Sequence, residues 1–238
     1  MYLFFEENIS ETTEYFNLSE EESRHCCKVM RLGKGSQVMV INGKGGLFTC
    51  EITEANFKKT GLKVMRHENK SPKKNYSIHI AIAPTKNNDR IEWFIEKSVE
   101  IGIDRISFIL SQNSERKVLK LDRLKKIALS AMKQSYAYDM PKIHELVKLP
   151  DFLASIEKTS FQKFLAHEAQ DPDQTLFKKA IKGSNYLILI GPEGGFSEEE
   201  VAQARQEDFE IVSLGEKRLR TETAGVVSCT TLNLLNQI

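Results

Sequence analysis

Residues 185–197 read NYLILIGPEGGFS, the segment that is most informative about the fold class of this chain. Its first six residues form an apolar run typical of a strand that is buried on both faces. A glycine-rich turn follows at 191–195, and Ser197 with Glu200 forms a capping box that predicts the start of a helix. A buried strand, a tight turn and a helix in succession indicate a parallel α/β sheet. Ligands of such sheets bind at the carboxyl ends of the strands.

The glycine-rich turn at 191–195 has two interpretations. Three glycines let the backbone approach a ligand closely and leave its N–H and C=O groups free to bind it. The same composition also serves a tight strand-to-helix connection with no ligand. No Gly-Lys-Ser/Thr follows, and the spacing is not G-x-G-x-x-G, so neither common nucleotide-binding loop is present.

A second loop of unusual composition lies about twenty residues downstream. Residues 214–224 read LGEKRLRTETA, between a strand predicted over 210–213 and a final helix from about Thr221. Thr221 is a candidate N-cap, which explains the Thr-Glu-Thr run structurally. Three cations crowd the start of this helix: Lys217, Arg218 and Arg220. The helix dipole favours anions at this position, so the cations indicate an anionic ligand.

Upstream of these loops, strands and helices alternate from residue 75 onward. The patterns predict strands over 78–83, 105–110 and 161–167, and helices over 89–101, 121–138 and 174–181. This alternation predicts a mostly parallel sheet covered by helices on both faces.

The first seventy residues show a different pattern, with short strands and one helix. Strands are predicted over 2–5, 37–41, 47–53 and 62–66, and a helix capped by Ser19 runs through Arg31. Short strands at this spacing suggest a small β-barrel. The polar stretch 68–75 is a linker, so we expect two domains, at 1–70 and 75–238.

The net charge of +1 conceals an uneven distribution of charge. Residues 1–22 carry −7, residues 23–74 carry +9 and residues 75–238 carry −1. A concentrated basic segment is typical of nucleic-acid binding, because neutralised phosphates release counterions. Four cations recur at helical spacing within it: Arg24, Lys28, Arg31 and Lys34. We expect them to contact phosphate, although a solvated charged face would show the same pattern.

Composition also bears on metals, membranes and compartment. The four cysteines include no C-x-x-C pair, so we expect neither a disulfide framework nor a metal. The acidic start is unlike a leader peptide, and no apolar run approaches 18 residues. We therefore expect a cytoplasmic protein with no membrane association.

The order and spacing of the two loops resemble those of the SPOUT-class methyltransferases. The 191–197 stretch is followed by Leu214-Gly215 and then by LRTETA at 219–224. Within that class the chain resembles the RsmE family, which methylates N3 of one uridine in 16S ribosomal RNA. Further segments fall in family order, at 29–32, 42–45, 86–103, 133–135 and 166–168.

The resemblance implies a fold and a cofactor. It implies an N-terminal PUA-like β-barrel, followed by a SPOUT α/β domain with a C-terminal trefoil knot. It also implies a homodimer that binds S-adenosylmethionine (SAM) and acts on 16S rRNA or the small ribosomal subunit. The residues that it places at the cofactor are Leu189, Gly191, Glu193, Gly194, Leu214, Gly215 and Leu219.

The implied reaction suggests roles for charged residues near those loops. N3 of uracil reacts only once its proton has left, and a cation near the uracil oxygens would stabilise the anion. Arg220 is the candidate for that cation. Glu222 or Glu193 would accept the proton or orient the arginine, and the sequence leaves both options open. Further RNA contacts are expected at Lys86, Arg90, Lys217 and Arg218.

Two other functions fit the same sequence less well. One is an RNA-binding ribosome-assembly protein that lacks catalysis, although it would have no need of both intact loops. The other is a SPOUT enzyme that acts on another RNA, such as tRNA, or on a ribose 2′-OH.

Overall fold

A computed structural model describes residues 2–156, 161–168 and 173–237 and divides them into two compact units. The first unit comprises Met1–Lys73 together with Met132–Met140, and the second comprises Lys74–Ala131 and Pro141–Ile238. The 132–140 segment joins the first unit through backbone hydrogen bonds. Gly45 N–H donates to the Tyr138 carbonyl at 2.9 Å, and Met140 N–H donates to that of Gly43 at 2.9 Å. Long-range backbone pairing thus completes the first unit.

The first unit is built on a five-stranded sheet. Its strands are β1 (Leu3–Phe5), β2 (Tyr15–Asn17), β3 (Gln37–Ile41), β4 (Gly46–Glu54) and β5 (Gly61–Asn69), in the order β1-β3-β4-β5-β2. Strands β1 and β3 are parallel, and the other pairs are antiparallel. The strands predicted from the sequence are confirmed. The prediction omitted β2, because it is short and mostly exposed and so lacks the apolar run that marks β1.

The helix of the first unit is shorter than the sequence predicts. Ser19 caps α1 (Glu20–Arg24) by accepting the Glu22 N–H at 3.3 Å. A π-helical turn (His25–Val29) follows, closed by the bond from Met30 N–H to the His25 carbonyl. The predicted extension through Arg31 is wrong, because Arg31 has a φ of 54°. That left-handed backbone cannot continue a right-handed helix.

The second unit contains a six-stranded parallel sheet, as the sequence predicts. Its strands are β6 (Ser77–Ile82), β7 (Arg105–Leu110), β8 (Lys142–Lys148), β9 (Gln162–Ala166), β10 (Asn185–Ile190) and β11 (Glu210–Val212), in the order β11-β9-β10-β6-β7-β8. Its central strands β6 and β10 are almost entirely buried. The direction of strand progression reverses between β6 and β10, which is a topological switch point where α/β sheets bind ligands.

Six helices accompany this sheet: α2 (Asn88–Ile101), α3 (Leu121–Gln134), α4 (Leu149–Ser155), α5 (Leu176–Lys179), α6 (Glu198–Gln206) and α7 (Thr221–Gln237). The capping box predicted for α6 is present, with hydrogen bonds in both directions between Ser197 and Glu200. Two predicted helices are too long. The helix predicted to end at residue 138 ends at Gln134, shortly before Tyr136 adopts a left-handed φ of 55°. The helix predicted over 174–181 is only the four residues of α5.

Strand β8 and helix α4 are absent from the sequence-based prediction. Strand β8 is an edge strand whose residues are mostly exposed, so it lacks the apolar run that marks the central strands. Helix α4 has only seven residues and packs Leu149, Phe152 and Leu153 into the core beside β10. A helix this short presents less than two full turns of pattern.

The buried cysteines belong to the cores of the two units. Burial raises the pKa of the Cys26, Cys50 and Cys229 thiols to about 12, so they stay protonated near neutral pH. All four cysteines are free thiols. Among the described residues, no group of histidines, cysteines and carboxylates could hold a metal ion. No described helix is long and apolar enough to cross a bilayer.

Candidate active site

A cavity of about 540 Å³ lies at the carboxyl edge of the parallel sheet of the second unit. The segments that follow β9, β10 and β11 line it, and they meet there because parallel strands end on the same side. Its walls combine glycines and apolar residues with five charged residues. The lining includes Ala166, His167, Glu168, Ile190, residues 191–196, residues 213–219, Thr221 and Ala224. Its volume lies within the range of sites for small organic ligands.

The two loops predicted from the sequence face each other across this cavity and are joined by hydrogen bonds. Thr221 Oγ1 donates to the Gly191 carbonyl at 3.0 Å, and Arg218 donates to the Glu193 carbonyl at 3.0 Å. Asn113, which follows β7, donates to the carbonyls of Gly194 and Gly195 at 3.3 and 3.2 Å. Three separate elements therefore fix the path of the glycine-rich turn.

Two glycines show why these loops need that residue. At Gly191, a Cβ atom would lie 3.2 Å from the Phe196 ring and 3.4 Å from its backbone nitrogen, which is tighter than normal contact. Gly215 has a φ of 132°, a conformation that side chains strongly disfavour, and nothing lies within 4 Å of where its Cβ would be. The first glycine allows close packing, and the second leaves part of the cavity open.

Two carboxylates and one arginine form a charged cluster beside the cavity. Glu193 lines the cavity, and its Oε1 accepts the Lys86 N–H at 3.2 Å. Arg90, near the start of α2, places its guanidinium 3.9 Å from Glu193 and 3.7 Å from Glu222. Glu222 is only 6% exposed, and its Oε2 is buried without a hydrogen-bond partner among the described residues. Arg90 thus lies close to both carboxylates, and its one positive charge offsets part of their combined charge.

The start of α7 differs from the sequence-based expectation. Thr221 is the first helical residue and not the N-cap, because the Arg220 carbonyl accepts the first intrahelical bond, from Ala224 N–H at 2.8 Å. The Thr221 hydroxyl is instead engaged with Gly191. Arg220 is exposed and is not among the described residues that line the cavity, although Leu219 and Thr221 on either side of it are.

The structure brings most of the predicted cofactor-site residues together, with one exception. Leu214, Gly215 and Leu219 line the cavity with the residues of the glycine-rich turn. Leu189 does not, because its side chain points into the core cluster that includes Leu149 and Phe209. The alternation of a strand explains the difference: Leu189 and the cavity-lining Ile190 face opposite sides of β10.

The predicted RNA-contact residues fall into two groups. In the second unit, Lys217 and Arg218 line the cavity, whereas Lys86 pairs with Glu115 at 2.9 Å. The hydrogen bond to Glu115 raises the pKa of Lys86, with Glu193 contributing a smaller effect. Lys86 and Arg90 therefore hold carboxylates.

In the first unit, the four predicted cations differ in their surroundings. Arg24 pairs with Glu20 at 2.9 Å, one turn earlier on the same helix. Lys28 lies over the Phe57 ring, 4.4 Å from its centroid. Arg31 and Lys34 are exposed beyond the end of the π-helix. The helical segment ends at Val29, so Arg31 is not on the helix face predicted for it, and Lys34 lies beyond the helix as predicted.

Several site residues were not predicted from the sequence. Asn113 and Arg116 follow β7, and Arg116 donates to the carbonyls of Thr85 and Lys86. Phe196 lines the cavity and packs against the position of Gly191. Phe196 is adjacent to the glycine-rich turn and could have been suspected from its position. Nothing in the local sequence marks Asn113 or Arg116, because their partners lie on other loops.

The fold and this site are those of an RNA methyltransferase whose methyltransferase domain is preceded by a PUA domain. Residues 72–233 match the RNA methyltransferase domain family, and residues 18–60 match the RNA methyltransferase PUA domain family. The chain belongs to this RNA methyltransferase family. Its fold is accordingly an α/β methyltransferase domain preceded by a PUA-like domain, as the sequence analysis expected.

Individual relatives identify a more specific family within the RNA methyltransferases. The ribosomal RNA small subunit methyltransferase E of Bacillus subtilis is 28% identical over 239 residues, covering 94% of this chain and 91% of the relative. A solved structure described as an rRNA-methyltransferase from Porphyromonas gingivalis is 37% identical with a TM-score of 0.90, covering 100% of this chain and 99% of that one. The chain is therefore a member of the ribosomal RNA small subunit methyltransferase E family, which is the family that its motifs resemble.

A further solved structure shares the fold and contains a ligand. It is a methyltransferase from Legionella pneumophila in complex with the cofactor SAM, 25% identical with a TM-score of 0.87. The alignment covers 98% of this chain and 97% of that one.

Proposed function

We propose that this protein is a SAM-dependent methyltransferase that methylates N3 of a specific uridine in 16S ribosomal RNA. The observation that carries the proposal is the cavity between the two loops at the carboxyl edge, with the Glu193 carboxylate in its wall. Membership of the ribosomal RNA small subunit methyltransferase E family supports the substrate. The SAM complex of a structural relative supports the cofactor.

The residues of the cavity fit SAM. Gly191, Gly194 and Gly215 bring backbone close to the cavity, so its polar groups could bind an adenosine. Leu214 and Leu219 supply apolar surface for its rings, whereas Leu189 acts from the core behind the site. When bound, SAM supplies a strongly electrophilic methyl group.

The protein must remove the N3 proton of uracil and stabilise the anion that remains. Glu193 is the proton acceptor in our proposal, because its side chain reaches the cavity and only its Oε1 has a described partner. Glu222 acts as a positioning residue, because it is buried against Arg90. Arg220 stabilises the negative charge on the uracil oxygens from its exposed place between Leu219 and Thr221.

We infer two domains, at 1–70 and 75–238. Both are proposed to bind RNA. Lys217 and Arg218 would hold phosphate near the cavity. Lys28, Arg31 and Lys34 would hold it on the PUA-like domain, and Arg24 contributes less because Glu20 neutralises it. Lys86 and Arg90 act mainly by holding carboxylates.

The family resemblance also suggests the topology, the oligomeric state and the cellular location of the protein. We propose that the C-terminal segment forms the trefoil knot typical of the SPOUT class. Two copies would assemble into a homodimer, and the protein would act in the cytoplasm, where small ribosomal subunits are found. The PUA-like domain would carry the barrel that the family implies.

Nucleoside mass spectrometry of 16S rRNA from cells that lack this protein tests the proposed reaction. The expected result is the loss of one N3-methyluridine, restored when the wild-type gene is returned. An unchanged N3-methyluridine level would contradict the proposal. The loss of a different methylated nucleoside would favour an enzyme acting at another position.

A further inference from the structure

An exposed aromatic side chain in the first unit has one lysine over its ring and two more directly after it in the sequence. Phe57 lies in the loop between β4 and β5 and is 42% exposed. Lys58 and Lys59 follow it directly, and Lys28 places its ammonium 4.4 Å from the ring centroid. Single exposed aromatic residues are common, but an aromatic ring enclosed by positive charge is the arrangement that binds unpaired nucleotides.

Hydrogen bonds hold both ends of the short turn that carries Phe57. The Asn56 carbonyl accepts both the Lys59 N–H at 3.0 Å and the Thr60 hydroxyl at 2.8 Å. Thr60 is fully buried, and its N–H donates to the buried Ser23 hydroxyl of α1 at 2.8 Å. Hydrogen bonds therefore join the loop to the helix that leads to Lys28.

The cations of this surface are free of carboxylates. No ion pair joins Lys28, Lys58 or Lys59 to any residue that the structure describes, and the same holds for Arg31 and Lys34. Elsewhere in the unit, Arg24, Arg66, Lys70 and Lys133 are paired. Free cations beside an exposed ring are complementary to a phosphate backbone with an unstacked base.

A second aromatic–lysine pair in the same unit provides a contrast. Tyr15 is 61% exposed, and Lys63 lies 5.7 Å from its ring centroid. Tyr15 belongs to the first 22 residues, which carry −7, with Glu14 directly before it. Both rings are exposed, but Tyr15 belongs to the acidic segment 1–22, whereas Phe57 belongs to the basic segment 23–74.

We propose that Phe57 is a stacking platform for an unpaired base of the RNA, flanked by Lys28, Lys58 and Lys59 as phosphate contacts. One face of the ring carries the Lys28 ammonium, and the other accepts a base. The inference rests on the proposed function, because it assigns part of the RNA-binding surface of an RNA methyltransferase. The ligand is a single strand, because a paired base has no free face to offer.

Fluorescence anisotropy with a labelled single-stranded RNA of mixed sequence, titrated at several KCl concentrations, tests this proposal. Phe57→Ala should weaken binding about 5- to 150-fold, which corresponds to the loss of one stacked base. Its salt slope should stay unchanged, because no charge is lost. Phe57→Trp should restore the affinity, and Tyr15→Ala, the matched control, should bind within about twofold of the wild type. Lys58→Gln with Lys59→Gln should lower the salt slope by about 1.4.

The same titration separates this inference from the function on which it rests. If the wild-type protein binds the RNA and Phe57→Ala binds equally well, the platform is wrong and the methyltransferase proposal stands. If the wild-type protein binds neither single-stranded RNA nor the small subunit, both fail. An equal loss of affinity for a fully duplex RNA would also contradict the platform, since a duplex offers no unstacked base. Unchanged thermal melting of Phe57→Ala would confirm that the exposed substitution leaves the fold intact.

Discussion

The cations of the two units have different surroundings. In the first unit, Lys28, Lys58 and Lys59 project from the surface with no described carboxylate beside them. At the cavity of the second unit, Arg90 lies between two carboxylates and Arg218 donates to a backbone carbonyl. Charge in the first unit is thus available to a polyanion, whereas much of the charge in the second fixes the shape of the site. We therefore expect salt to govern RNA affinity through the first unit and geometry to govern the reaction in the second.

The largest effect that would test this contrast concerns Glu193. Glu193→Gln should lower the single-turnover rate of methyl transfer about 10²- to 10⁴-fold, because the amide accepts no proton, while SAM affinity stays within about threefold. Glu198→Gln is the control, as this exposed residue in the first turn of α6 does not line the cavity. A rate for Glu193→Gln within tenfold of the wild type would remove its role as the base.

The backbone geometry of the cavity can be tested at Gly215. Gly215→Ala places a side chain at a φ of 132°, where strain of about 1–3 kcal/mol is expected, so SAM should bind about 5- to 150-fold more weakly. Gly35→Ala is matched to it, with a φ of 84° and equally open space, but lies in the first unit. Calorimetric titration should therefore show weaker SAM binding for Gly215→Ala alone. Equal SAM affinities for the two variants would mean that the Gly215 turn does not shape the cofactor site.

Neutralising free cations should have a smaller effect that depends on salt. Lys28→Gln with Arg31→Gln should weaken RNA binding about tenfold at 0.1 M salt and lower the salt slope by about 1.4, since two phosphate contacts are lost. The control is Arg66→Gln with Lys70→Gln, which removes the same charge from residues that pair with Glu68. The salt slope of this variant should change little. The contrast between free and paired cations fails if both pairs change the slope equally.

The smallest expected effect is a loss of folding stability at lower pH, caused by His79 in the core of the second unit. Burial lowers the pKa of His79 to about 3, with Arg105 and His144 contributing. The unfolded chain therefore binds a proton between pH 3 and 6.5 that the folded chain does not, so stability is complete above pH 7 and falls as the pH falls. Denaturant unfolding followed by Trp93 fluorescence should show a loss of about 1 kcal/mol or less between pH 7 and pH 6. His79→Gln should lose less over that interval, and an identical loss would contradict the assignment.

Local pattern was sufficient to predict much of the fold. The strand at Asn185–Ile190 and the capping box at Ser197 are determined by neighbouring residues, and both were predicted correctly. The strand at Lys142–Lys148 is amphipathic and lies at the sheet edge, so its neighbours in sequence do not reveal it. The π-helical end of the first helix also depends on tertiary packing, which places the buried Cys26 in the core.

The candidate site was predicted only where its residues lie in two continuous loops. Gly191, Gly215 and Leu219 line one cavity because the parallel strands end together. The pairing of Arg90 with Glu222 joins residues far apart in the chain, and the sequence suggested Arg220 as the partner instead. The hydroxyl of Thr221 was predicted to cap a helix, but it joins the two loops instead. Its acceptor lies 30 residues away, so the neighbouring sequence does not reveal the bond.

The most direct test of the account is to locate the methyl group that the purified protein transfers. Small ribosomal subunits that lack the modification would be incubated with deuterated-methyl SAM and the protein, and the 16S rRNA digested for mass spectrometry. We expect one labelled N3-methyluridine per 16S rRNA with the wild type and almost none with Glu193→Gln. Label on a ribose or on another base, or equal labelling by the two proteins, would contradict it.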